Sequence, residues 1–526
     1  MQILVVDLGS QYTLNIGRTL RELGVRSVIL PPQKAMAWIE ENLGQLKGII
    51  LSGGAASIYE LGDEDLPASI LTTNRPVLGI CLGMHWIAKA FGGEVKAVQE
   101  QRGYGEEELA EVLRHDPLFR HVPGSRNIVW MSHGDSVTRL PPGFRCVADT
   151  QQCPIAVMAS DDGMVWGVQF HPEVKETRCG RDILLGFLDI CKAVRDWKPG
   201  DIIGQIRSEV AVAVGPSERC VLAFSGGVDS STLTAILAPV LGGRLTCVAL
   251  DHGGLRKDEE QEIAENALAA GCWIGDPAPP GYPVFQLHYC PRPFLEAVSG
   301  AGTDAEAKRR AFRTAYRQHL ESAAKKLGAT VLIQGTLAPD IIESGAIGEA
   351  ALIVTHHNVG MASRLRELHP LANLFKYEVR ELARHLKLPP SIAERKPFPG
   401  PGLYCRVVGA PVTAKLVETV RWADAEVRQI VAEANLEPEF DQLVVALLCI
   451  NVAGVKGDGR AYAYLAAIRA VKTSDFMTCR GYRFPPRPDN PAPVWKRIEK
   501  ALVRNPLIVG VVADETDKPP RRTEFE

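Results

Sequence analysis

The twelve cysteines of this sequence include no Cys-x-x-Cys pair. That absence speaks against a zinc ribbon and against a dithiol redox motif. A chain of 526 residues does not need a disulfide frame either, so the thiols are read as reduced, in a cytoplasmic protein. No apolar run reaches the roughly 18 residues that cross a bilayer, so no membrane partner is expected. Neither charge is in excess: 59 Lys and Arg face 62 Asp and Glu, a net charge of −3. Proteins that grip long nucleic acid by neutralising phosphates are usually basic, so that partner is disfavoured. Internal repeats and low-complexity segments are absent. The start, MQILVVDLGSQYT, lacks a basic region and meets an acid at Asp7, so it reads as a first strand and not as a signal peptide. What remains is 46% hydrophobic and 23% charged, the balance of a folded chain too long for one core.

Short apolar runs alternate with amphipathic stretches. Ile3 to Val6, Gly48 to Leu51, Pro76 to Ile80, Cys220 to Phe224, Leu245 to Leu250 and Thr330 to Ile333 are examples. Unbroken apolar runs suit strands buried on both faces, and intervening helices imply α/β architecture with parallel sheets. Two composition shifts suggest boundaries. One is Asp196-Trp197-Lys198-Pro199-Gly200-Asp201, after a helix ending near Val194. The other is Lys396 to Gly402, where three prolines and two glycines exclude a helix interior or a central strand. Three units follow: 1–195, 202–396 and 397–526.

Gly79-Ile80-Cys81-Leu82-Gly83 joins a buried strand to a helix-like stretch, Met84 to Phe91. It has the form of a nucleophile elbow. A helix N-terminus favours thiolate over thiol at Cys81. The N–H of Leu82 is placed as an oxyanion donor, and Gly53, in the turn Ser52-Gly53-Gly54, offers a second. A thiolate nucleophile needs a base, and the base an orienting partner. His171 and Glu173, two residues apart at a strand end, supply both.

With these motifs the first unit resembles the class I (triad) glutamine amidotransferases. The resemblance implies that Cys81 attacks the side-chain amide of glutamine, that His171 shuttles the proton and that Glu173 orients His171. Trp130 to Asp135, with His133 and Asp135, matches a family segment near the glutamine site, as does Arg102-Gly103-Tyr104-Gly105. One position departs: His85 stands where the family usually has a glutamine that helps hold the substrate.

A second constellation is Ser225-Gly226-Gly227-Val228-Asp229-Ser230-Ser231, between a strand and a helix read over Thr232 to Leu241. Small residues there let N–H groups close around phosphate, and the helix N-terminus adds partial positive charge. The Gly-Lys-Ser/Thr of Walker A is missing. The Ser-Gly-Gly-x-Asp-Ser form is similar to the pyrophosphate loop of N-type ATP pyrophosphatases, which implies a Rossmann-like ATP domain. Asp229 would help place Mg²⁺ with ATP, since that ion prefers oxygen ligands. Asp251, ending a strand, is expected near the nucleotide.

The remainder resembles the glutamine-hydrolysing GMP synthetases. The motifs are Gln334 to Ser344, Thr355-His356-His357-Asn358-Val359-Gly360, Arg395 to Leu403, Gly457 to Tyr462 and Thr473 to Thr478. The resemblance implies that XMP and ATP join glutamine as substrates, with Arg309, Gln442, Lys518 and Glu524 on XMP. It also implies a small α+β C-terminal unit that makes a homodimer. Ala55 replaces a usual Pro, Lys396 a usual His, and Arg521 and Arg522 stand where small uncharged residues are usual. The altered tail keeps a second reading open, a paralogue amidating a related purine-like nucleotide or heterocycle. A catalytically weak regulatory relative is disfavoured by the complete triad and phosphate loop.

Overall fold

The computed structural model describes the chain except residues 11, 55–56, 60–65, 98–102, 111, 114, 125–126, 339–352, 355–364, 457–458, 474–478, 485–492, 519–522 and 526. The described residues fall into two compact units, Met1–Asp201 and the chain from Ile202 onward.

The first unit is built on a sheet ordered Ser27–Leu30, Ile3–Val6, Gly48–Leu51, Val77–Ile80, Val165–Val168, Val157–Ser160, Phe144–Ala148. Its first five strands are parallel; Val157–Ser160 runs antiparallel to Val165–Val168, and Phe144–Ala148, antiparallel to it in turn, regains the direction of the first five. The apolar runs are buried on both faces, as their lack of alternation requires. Ile3 and Val5 enter one hydrophobic core, and Leu4 and Val6 the other. Each such side chain contributes roughly 1.5–3 kcal/mol by leaving water. Helices follow the strands at Thr13–Glu22, Pro32–Asn42, Leu82–Ala90 and Gly180–Ile190.

In the second unit a sheet runs Val284–Tyr289, Leu245–Asp251, Cys220–Ala223, Val331–Ile333, Arg366–Leu368, Ile353–Val354, with only the last strand antiparallel. A further sheet centres on the long pair Gln442–Lys456 and Gly459–Lys472. The amphipathic helix expected near 414–434 is Ala414–Glu433, its first turn capped by Thr413, whose hydroxyl accepts from the Leu416 N–H at 3.3 Å.

Two features bear on the stretches read as boundaries. Pro199-Gly200-Asp201 is not linker but the first turn of helix Pro199–Ala213, where proline is tolerated because its missing N–H would be unpaired anyway. Residues 202–396 and 397–526 fall in one contact unit, because a single core runs from Val221 and Phe312 through Leu403, Val427, Ile468 and Ile508.

Candidate functional site

Strand Val77–Ile80 ends at Cys81, and helix Leu82–Ala90 begins on the next residue. Cys81 has φ 49° and ψ −104°, a conformation that costs a non-glycine residue free energy and persists only when its surroundings enforce it. They do so through the Cys81 N–H, which donates to Val168 O at 2.8 Å. The flanking glycines allow close approach: a Cβ on Gly79 would lie 2.5 Å from the Gly83 carbonyl carbon, and one on Gly83 2.5 Å from Leu51 O. Leu82 is the first helical residue, so its N–H has no acceptor within the helix.

The structure brings His171 and Glu173 to this elbow. His171 Nδ1 lies 2.8 Å from Glu173 Oε1, and the Cys81 side chain hydrogen-bonds the same ring. With Nδ1 engaged by the carboxylate, Nε2 is left for the sulfur. All three residues are buried. Burial alone would depress His171, but the Glu173 carboxylate and the Cys81 sulfur outweigh it and hold the imidazole well above its ordinary value. The His171 backbone is pinned as well, since its carbonyl accepts from the Thr177 hydroxyl at 2.6 Å and its N–H donates to Trp130 O at 3.1 Å. Gly53 abuts the pair: a Cβ there would meet His171 Cε1 at 2.9 Å and Cys81 Cβ at 3.7 Å. Tyr12 stands edge-on to the His171 ring, 5.5 Å between centroids.

His85, His133 and Asp135 surround the elbow less directly. His85 Nε2 lies 2.9 Å from Gln169 Oε1, and burial lowers its pKa to about 4 despite that hydrogen bond, so the ring is neutral near pH 7. His133 is lowered chiefly by burial, and its Nε2 is buried without a partner among the described residues. Asp135 Oδ2 accepts from the Ser57 hydroxyl at 2.7 Å. Arg102 and Ala55 lie outside the described residues.

The second unit holds a cavity of about 550 Å³ over the phosphate loop. Helix Val228–Leu241 starts earlier than expected, so Asp229 and both serines form its first turn, where backbone N–H groups lack helical acceptors. Ser225, Gly227, Val228, Asp229 and Ser230 line the cavity. Gly226 and Ser231 do not. Gly226, at φ 68°, turns its carbonyl to Arg395 Nη1 at 2.5 Å and Asn266 Nδ2 at 2.9 Å, while Ser231 is fully buried behind the loop. Asp251 is also absent from the wall. Side chains alternate along a strand, so Leu250 and His252 face the cavity, and Asp251 caps the Gly253 N–H at 3.0 Å.

The opposite wall comes from helix Ala305–Lys326. Arg309, Phe312, Arg313 and Tyr316 recur at helical spacing and all line the cavity. Glu524 reaches the same cavity, held by Arg406 at 3.3 Å and by Gln442 Nε2 at 3.0 Å. Gln442 therefore stands behind Glu524 and not on the wall. Lys518 pairs its backbone with Cys479 and lies off the wall. Lys396 donates to the carbonyls of Phe440, at 2.6 Å, and Glu437, and its ammonium sits over the Phe440 ring, which accounts for a long cation at that position. His356, His357, Arg521 and Arg522 lie outside the described residues.

Sequence reasoning missed Lys376, whose Nζ lies 2.5 Å from Asp229 Oδ2, and the clamp of Arg395 on Glu259 at 2.8 Å. Burial alone would raise Glu259, but Arg256 and Arg395 beside it hold it below the usual carboxylate range. No local spacing marks these partners, which are far apart in sequence. Gln169 stands two residues before His171 and Tyr12 lies in the opening segment, yet nothing local gives them a role.

These two centres define a class of protein, a triad glutamine amidotransferase joined to a nucleotide-binding α/β unit. Consistent with it, a model of class-I glutamine amidotransferases matches residues 4–191, and a model of the GMP synthase C-terminal domain matches residues 429–525. The GMP synthase (glutamine-hydrolyzing) of Thermus thermophilus is 41% identical over 534 residues, spanning 100% of both chains. That of Aeropyrum pernix is 39% identical, covering 100% of this chain and 98% of its own, and that of Finegoldia magna is 36% identical, covering 100% and 99%. The chain belongs to the glutamine-hydrolyzing GMP synthase family.

Proposed function

We propose that this chain aminates XMP to GMP, using glutamine as nitrogen donor and ATP as the activating agent. The observation that carries the reading is the coexistence of two intact centres, Cys81–His171–Glu173 and the Ser225–Ser230 loop, in a chain matched end to end by GMP synthases. In the first centre the Cys81 sulfur attacks the amide carbon of glutamine. The oxyanion that forms faces the N–H groups of Leu82 and Gly53, where preorganised donors lower the barrier most. His171, held protonated by Glu173, gives its proton to the departing nitrogen, which leaves as ammonia. Water then attacks the thioester, His171 takes its proton, and glutamate leaves.

In the second centre the O2 atom of XMP attacks the α-phosphorus of ATP, and the bond to pyrophosphate breaks. Ammonia adds at C2 and AMP departs, so a poor leaving group has been exchanged for a good one. The N–H groups at the start of helix Val228–Leu241 and the Lys376 ammonium suit the charge on the departing pyrophosphate. Arg309 and Arg313 suit the phosphate monoester of XMP, beside Glu524. Asp229 fits a magnesium ion: Oδ2 is held by Lys376, while Oδ1 is buried with no partner among the described residues. Magnesium commonly takes one or two protein carboxylates with the rest of its shell from phosphate and water, and when bound it neutralises charge on the polyphosphate.

The twelve cysteines are unpaired, which supports the cytosol as the working compartment, a point cell fractionation tests. Among the described residues no helix is long and apolar enough to cross a membrane. The three-part organisation, 1–195, 202–396 and 397–526, is retained as a proposal about functional segments.

The test of function is pyrophosphate release across a panel of purine nucleotides with ammonia in excess. XMP far above the others supports the reading. Silence with XMP, with turnover of another purine-like acceptor, would replace it by the paralogue reading.

A further inference from the structure

Beside Cys81 runs a chain of contacts that the triad does not use. His85 follows Cys81 by one helical turn, its N–H donating to the Cys81 carbonyl at 3.1 Å, so both side chains leave one face of the helix. Across from them stands Gln169, just beyond strand Val165–Val168, with its backbone N–H fixed on Ala156 O at 2.8 Å. Its side chain is fully buried. The amide oxygen lies 2.9 Å from His85 Nε2, and the amide nitrogen lies 3.9 Å from the Cys81 sulfur.

An amide has two unlike ends, and what meets one end decides which end meets the other. His85 is buried and neutral, with one ring N–H to give. Facing a carbonyl oxygen, it gives that proton from Nε2. The Gln169 oxygen is then committed to His85, and the NH₂ group is turned to the sulfur. The reverse orientation would set a carbonyl oxygen against a thiolate, two acceptors with no hydrogen between them. We propose that His85 and Gln169 are positioning residues for the glutaminase step. His85 fixes the Gln169 amide, and Gln169 thereby presents an N–H to the Cys81 sulfur in its anionic form. The inference rests on the reading of Cys81 as nucleophile.

Other groups act on this corner from neighbouring elements. His171 with Glu173 faces the sulfur, while Asp135 and His133 act on His85 from the consecutive strands Asp135–Arg139 and Ile128–His133. None of these supplies the donor that turns the amide, because the Gln169 oxygen is taken by His85.

Alkylation of Cys81 by iodoacetamide, located by peptide mass mapping, reads the thiolate without requiring glutamine turnover. Gln169→Leu and His85→Leu should each slow alkylation at pH 7 by about tenfold, the scale of one hydrogen bond to a charged group, and displace its pH profile upward. Glutamine-dependent kcat should fall by about the same factor while KM moves less than about twofold. His85→Gln, which keeps a donor at that position, should recover most of both rates. Unchanged alkylation in Gln169→Leu overturns the proposal. So does a His85→Gln protein as slow as His85→Leu. If Gln169→Leu fails to fold, judged by ammonia-dependent GMP formation, Gln169→Met carries the same test. If alkylation of wild-type Cys81 leaves glutamine-dependent turnover intact, the nucleophile assignment itself fails, a result separable from any failure of the variants.

Discussion

Glu173 fixes two properties of His171 at once, its ring orientation and its charge. Nδ1 and Oε1 stand 2.8 Å apart in a buried setting, so the carboxylate charge is poorly screened. Glu173→Gln keeps the shape and removes the charge. Glutamine-dependent kcat should fall by about 10²–10⁴-fold, while ammonia-dependent GMP formation reports an intact second centre. The glutamine-dependent pH profile should also move to lower pH, because the raised His171 value owes much to that carboxylate. At this scale the sequence was most legible where partners are neighbours, as His171 and Glu173 are. Lys376 and Asp229 are 147 positions apart, and no spacing rule joins them. Asp251 misled for a different reason: the strand end was located correctly, but which of Leu250, Asp251 and His252 faces inward depends on the register with neighbouring strands.

The two strand-to-helix turns are the elements that carry the chemistry. Each was legible because a buried apolar strand, a small-residue turn and a helix start lie consecutively in the chain. Less legible was where the second helix begins. Val228 to Ser231 read as loop but form the first helical turn, since serine and aspartate suit helix N-termini as readily as turns. The elbow depends on missing side chains. A Cβ at Gly83 would lie 2.5 Å from Leu51 O, and backbone cannot swing aside as a flexible side chain can. Gly83→Ala should therefore cost about 1–3 kcal/mol and displace Cys81. A lower urea midpoint together with lost glutamine use is the expected result; unchanged values of both would contradict the packing account.

Across the whole molecule, composition suggests two boundaries, but composition does not report which cores merge. The Pro/Gly-rich stretch near 397–402 breaks helix and strand, yet Leu403, Tyr404 and Val407 beyond it join the core that holds Val221 and Phe312. Long-range burial of that kind leaves no local signature. The hairpin Gln442–Lys456 and Gly459–Lys472 leaves Ile450, Val455 and Tyr462 exposed. We propose that a second copy covers them. Sedimentation should find a dimer that Val455→Lys with Tyr462→Lys weakens, and a monomeric wild type would remove the idea.

Acid should weaken both units. Burial lowers His85 in the first and His252 in the second to about 4, from an ordinary value of 6.5. Each imidazole takes up a proton on unfolding in that window. The stability they lend is whole above about pH 6.5 and drains as pH falls toward 4, by roughly 3 kcal/mol for each site. His171 acts with the opposite sign, its contribution being present below pH 6.5 and lost as pH rises through its elevated value. Urea midpoints should fall between pH 7 and pH 4.5, and His252→Gln should flatten that dependence.

One comparison bears most directly on the claim that a sulfur centre and a nucleotide centre divide the work. Cys81→Ala protein would be supplied with XMP and ATP, and with either glutamine or ammonia, and GMP would be measured. The account predicts no GMP from glutamine and near wild-type GMP from ammonia; equal loss from both nitrogen sources in a folded protein would contradict it.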